Sequence, residues 1–224
     1  MGKSKFIKKL KLEKPEQCEY SVDISNAKKR DKFVKRVERI ARSSMEYRDY
    51  IQFLRENMDM DSCAFFNNVT SNTKENNENK KVKVEVHHEP FTLYDYVNVV
   101  VEKYIEEGIP LDSMDVAEEV MELHYNNQVG LIPLSKTIHQ IVHNTRKIPI
   151  PLYICYGAYA EFVKAYKPYL EELGLMDKLE EKVNLTKTIT PESFDAIKRE
   201  FTYLEVEGRE SDISHMDMEN DMVA

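Results

Sequence analysis

Residues 82–88 read VKVEVHH, a strict alternation of valine with charged or imidazole side chains. Residues 131–144 read LIPLSKTIHQIVHN, an apolar run that passes into histidines at helical spacing. These two stretches limit the fold more than any other part of the chain. The first has the period of two expected of a strand with one buried face; the second predicts a short buried strand followed by a helix that Ser135 can cap. On that helix His139 and His143 are four residues apart and share a face, while Ile138, Ile141 and Val142 remain to bury the other side. On the strand, His87 and His88 point to opposite faces unless a bend at its end turns both towards one site.

Apolar spacing elsewhere predicts a helical protein around this pair. Phe33, Val37, Ile40, Met45, Ile51 and Leu54 predict one long amphipathic helix over about 30–57. SCAFFNNVT, the polar run NTKENNENKK and VKVEVHH together predict a hairpin. Thr92 and Asp95 form a capping-box pattern at the start of LYDYVNVVVEKYIEEG, which Gly108 can close, and Asp112 or Ser113 can cap MDVAEEVMELHY. KIPIPLYI, with two prolines, reads as an extended connector or edge strand. YGAYAEFVKAYKPYLEELG predicts a helix broken or kinked at Pro168, and MDKLEEKVNL and 191–201 predict two more.

With 42% hydrophobic and 32% charged residues the chain reads as soluble and globular. Neither a signal peptide nor an apolar run long enough to span a membrane is visible, so a cytoplasmic location and no membrane partner are expected. Cys18, Cys63 and Cys155 are odd in number and widely spaced, so neither a disulfide framework nor a Cys-x-x-Cys zinc site is expected. The formal net charge of -8 argues against coating nucleic acid by bulk attraction. Yet residues 1–42 carry fourteen Lys and Arg against six acids, and 205–224 carry seven acids against one Arg. A phosphate-seeking surface therefore belongs near the N-terminus, and the acidic tail is expected to be disordered.

Five of the six histidines, His87, His88, His124, His139 and His143, lie in one part of the chain. His124 continues the apolar face of Ala117, Val120 and Met121 and is expected in the core, hydrogen-bonded. A helical histidine pair with one histidine from a strand supplies three neutral nitrogen ligands, leaving positions open for water or phosphate. The fourth titrates near neutrality and can accept a proton from water. Glu85 and Glu89, flanking the strand pair, read as solvated charges, with Glu89 also a candidate partner of a ligand.

VEVHHEP at 84–90 with GLIPLSKTIHQIVHN at 130–144 resembles the two halves of the HNH, or ββα-metal, endonuclease motif. The resemblance is closest to colicin-type DNases and phage-encoded variants. It implies an α+β fold, mostly helical, with a small ββα-metal core interrupted by a helical insertion at about 92–125. It further implies that His87, His139 and His143 ligate one divalent ion (Mg, Mn, Ni or Zn), with His88 as general base. Gly130 stands where the family carries its middle Asn, with Asn126 and Asn127 nearby.

The expected organisation is a basic segment and long helix over 1–58, the core with its insertion over 59–150, a helical extension over 151–204 and the tail over 205–224. The expected function is hydrolysis of nucleic-acid phosphodiesters, DNA before RNA, in a phage-infected host's cytoplasm. The alternative is an inactive scaffold that docks DNA or protein partners through the helical extension and charged termini.

Overall fold

The structure is a computed structural model that describes residue 24 and residues 26–66, 69–73, 82–145, 148–196 and 198. The expected acidic tail lies outside the described residues. The fold is α+β and mostly helical, with one small two-stranded antiparallel sheet among the described residues.

The N-terminal amphipathic stretch forms two helices, α1 (Ala27–Ser43) and α2 (Met45–Asn57), instead of one. Ser44 makes the break: its backbone is extended, and its hydroxyl accepts from the Tyr47 N–H at 3.0 Å as the N-cap of α2. A serine that can bond the backbone locally competes with helix continuation. The expected capping box is present at α3 (Leu93–Glu106): Thr92 Oγ1 accepts from Asp95 N, and Asp95 Oδ2 accepts from Thr92 N at 2.7 Å. Asp112 caps α4 (Ser113–Tyr125).

The strand VEVHH, β1 (Val84–His88), pairs antiparallel with β2 (Leu131–Ser135), not in a hairpin with SCAFFNNVT. The latter closes on itself through a Ser62–Thr70 bridge and touches the far edge of β2, where Ala64 N donates to Pro133 O at 2.8 Å. Pairing with β2 suits Pro133. Leu131 exchanges hydrogen bonds with Tyr156, so the odd-numbered residues of β2 turn their backbone groups away from β1, and the missing N–H of Pro133 costs the ladder nothing. The connector KIPIPLYI contributes only a short 3-10 turn before that single bridge. Helix α5 (Lys136–Thr145) follows β2 directly.

Further on, the expected helix over 156–174 is broken at Tyr166 into α6 (Tyr159–Ala165) and α7 (Lys167–Glu172), with Pro168 in the first turn of α7. Gly174 takes the left-handed φ of 65° between α7 and α8 (Leu175–Thr186).

Each sheet face covers its own core. Val86 and Leu131 join the larger one, made by Val34 and Val37 of α1, Tyr96 and Val100 of α3, Val116 and Val120 of α4, and Phe162 and Leu170 beyond. Ile132 and Leu134 join a smaller one with Phe65, Phe66, Ile138 of α5 and Phe194. Residues 92–125 are thus no separate unit; with α1 they build the main apolar layer behind the sheet.

Candidate metal centre

Strand alternation sorts the histidines. His87 is paired with Ile132 and His88 with Leu131, so their rings leave opposite faces of the sheet. His87 lies on the α5 side. There its ring centroid is 5.0 Å from those of both His139 and His143, which are 4.6 Å from each other. One ligand nitrogen from each of the three lies within 4.8 Å of the other two.

Glu85, two residues before His87 and on the same strand face, fixes the tautomer of the next ligand. His139 Nδ1–H donates to Glu85 Oε2 at 2.6 Å, which leaves the lone pair on Nε2. That Nε2 is 3.0 Å from His143 Nε2. Two nitrogens each about 2.1 Å from a common ion stand about 3.0 Å apart when they subtend about a right angle, so the spacing fits a shared cation. Burial and the neighbouring His87 lower the His139 pKa against the opposing pull of Glu85; burial and His139 lower that of His143. Both shifts favour neutral imidazole, the form that ligates a metal.

Glu89 is buried, not solvated. It lies 3.4 Å from His87 Nε2 and is bonded on its other oxygen by Lys182 of α8. Burial raises its pKa, but the hydrogen bond from His87 and the Lys182 charge outweigh this, and the net shift is downward. Nothing in the sequence pointed to Lys182, which is 93 residues away. Glu85 was legible in principle, because residues two apart on a strand share a face.

The structure sets His88 apart from the other three. Its ring is 4% exposed and projects into the helical layer, stacked near Tyr47 with centroids 6.5 Å apart. Its Nε2 is 2.9 Å from Nε2 of His124, whose Nδ1 donates to Val120 O at 2.7 Å. His124 therefore accepts and His88 Nε2–H donates, so the His88 lone pair is on Nδ1. The sequence expectation of a base standing beside the ion meets this different geometry because β1 continues unbent through both histidines. His124 is the hydrogen-bonded core histidine that its apolar face predicted.

Gly130 has a steric reason to be glycine. A Cβ there would sit 1.8 Å from Glu89 O, and its N–H donates to Tyr96 OH at 3.0 Å. Asn127 takes the left-handed φ of 59° in the turn after α4, where its carbonyl accepts from Ala158 N.

Fold and site define a mostly helical α+β protein whose small sheet and following helix bring three histidines together. The family of bacteriophage G278-like virion proteins matches residues 3–217, and the chain belongs to that family. The phage association expected from the sequence is thereby shown, with the virion as the place the family description gives. No curated protein and no solved structure matches the chain. Among the described residues no helix is long and apolar enough to cross a membrane.

Proposed function

We propose that this virion-family protein is a metal-dependent endonuclease of the ββα-metal type, with His87, His139 and His143 holding one divalent ion. The observation that carries the reading is the convergence of a strand-end histidine with an i, i+4 pair on the helix that follows the partner strand. Bound there, the ion would supply Lewis acidity towards a phosphodiester oxygen and towards a coordinated water. Glu85 holds the His139 tautomer, and Glu89 with Lys182 backs His87. His88, the base expected from the sequence, leaves the opposite face of the sheet and is bonded to His124, so as placed it does not face a water at this centre, and its part in proton transfer is the point that the His88→Ala variant tests. The test is incubation of purified protein with supercoiled plasmid or RNA and Mg²⁺, Mn²⁺, Ni²⁺ or Zn²⁺, with and without chelator. Cleavage that needs the ion and is lost in His139→Ala supports the proposal, and no cleavage with any ion defeats it.

One observation favours a second reading, a metal-bearing scaffold that docks nucleic acid or other virion components. His88 is buried and engaged with His124, which suits a packing role as well as a catalytic one. Metal binding without cleavage of either nucleic acid would select it.

A further inference from the structure

The bend at Ser44 leaves a groove on the surface of α1 and α2, lined by Arg42, Tyr47, Arg48, Ile51, Gln52 and Arg55, with a volume of about 380 Å³. Its lining carries three guanidiniums and no carboxylate, in a chain of net charge -8. The guanidiniums of Arg48 and Arg55 are held by backbone carbonyls, Ser44 O at 3.3 Å and Val84 O at 3.1 Å, which position them without neutralising them. Arg42 shares its charge with Glu38 at 3.0 Å.

The groove meets the outer edge of β1, the strand that carries His87. Val84 exposes its carbonyl on the edge of β1 that does not face β2, and the next residue, Glu85, holds His139. Tyr47, in the groove wall, stacks near His88, on the face of the sheet opposite the three histidines. A planar guanidinium with several N–H donors matches phosphate oxygens, and three along one wall suit a repeated anion better than a single small one.

We infer that this groove is a phosphate-backbone site, in which Arg42, Arg48 and Arg55 hold consecutive phosphodiesters of a nucleic-acid strand and lead it to the three histidines. The inference deepens the endonuclease reading by naming where the substrate is held.

The test measures binding alone. A fluorescein-labelled DNA duplex of about 20 base pairs is titrated with the full chain in EDTA, at about 50 to 200 mM NaCl, and read by fluorescence anisotropy. The triple variant Arg42→Gln, Arg48→Gln, Arg55→Gln should bind about 10²- to 10³-fold more weakly at the lowest salt, with the slope of log K against log salt shallower by about 2 to 3. Lys167→Gln, an exposed residue of α7 outside the groove, should bind like the wild type. An unchanged affinity and slope in the triple variant, or no binding by the wild type, overturns the inference. Should the triple variant fail to fold by circular dichroism, Arg48→Glu carries the test, since Arg48 is exposed. It should bind more than about tenfold more weakly, and unchanged affinity overturns the inference. Displacement of the duplex by submillimolar inorganic phosphate would also overturn it, in favour of a site for a lone phosphate group. Wild-type protein that binds the duplex through these arginines but cuts nothing when metal is added defeats the endonuclease reading and leaves the groove standing.

Discussion

His88 Nε2 donates to His124 Nε2 across 2.9 Å inside the helical layer, so the second histidine of the adjacent pair ties β1 to α4. Both rings are held neutral. Burial keeps His124 down at about 4 despite its bond to Val120, and burial together with the charge His124 would carry keeps His88 well below the ordinary histidine value.

The pH dependence of stability follows from that pair. Above the unfolded value of about 6.5 both states are neutral at these positions, and the depressed folded values cost nothing. As pH falls below about 6.5 the unfolded chain takes up protons that the folded chain refuses, so stability drops until the folded His124 titrates near 4. The contribution of His124 is about 3 kcal/mol, and His88 acts in the same direction. Urea midpoints measured in chelator from pH 7 to 4 should fall steadily; a flat profile would contradict neutral burial of the pair.

Glu85 should matter to metal affinity, not to folding. Its carboxylate is partly exposed and accepts from the ring nitrogen of His139 that faces away from His143. Glu85→Ala should weaken Zn²⁺ or Ni²⁺ binding by about 10- to 100-fold in calorimetric titration and leave the thermal midpoint nearly unchanged. Equal affinity would return Glu85 to the status of a solvated charge.

The legible and illegible parts of the chain divide by the range of the interactions. The Thr92 box and the shared face of His139 and His143 depend on residues within four positions, and the sequence carries them; it narrows the cap of α4 to Asp112 or Ser113, of which Asp112 is used. The partner of β1 does not work this way: SCAFFNNVT and LIPLS are both short apolar runs, and only the two packed cores decide between them. Ser44 has no mark in the sequence that separates it from the other polar residues of the helical stripe, and its role as the N-cap of α2 shows only in its hydroxyl bond to Tyr47 N. The Glu89–Lys182 bond and the placement of Tyr47 against His88 join distant segments and had no local signal.

Gly130 offers a test of backbone against side chain. The resemblance suggests that Asn at this position would complete the motif, whereas a Cβ there would meet Glu89 O at 1.8 Å. Gly130→Asn should destabilise the protein by about 1–3 kcal/mol, as overpacking does, and should lower metal affinity because Glu89 backs His87. Urea denaturation and metal titration of the variant measure both. A variant as stable as the parent that cleaves faster would reverse this expectation.

The division of labour between adjacent histidines is separable from packing because His124 provides a structural control. His88→Ala and His124→Ala each leave one buried imidazole without its partner and should each cost about 1–3 kcal/mol in stability. Neither removes a candidate ligand, so metal affinity should stay close to that of the wild type in both. If His88 accepts the proton of water at Nδ1, His88→Ala should lower the cleavage rate by about 10² to 10⁴-fold. His124→Ala, which keeps that nitrogen in place, should lower it far less. His139→Ala should instead lose metal affinity first, with activity following the occupancy of the site. Single-turnover rates at saturating metal separate the three outcomes, since saturation restores a weakened ligand set but not a missing base. Equal losses in His88→Ala and His124→Ala, in step with their stabilities, would make His88 a packing residue and leave activation of water to other groups at the centre.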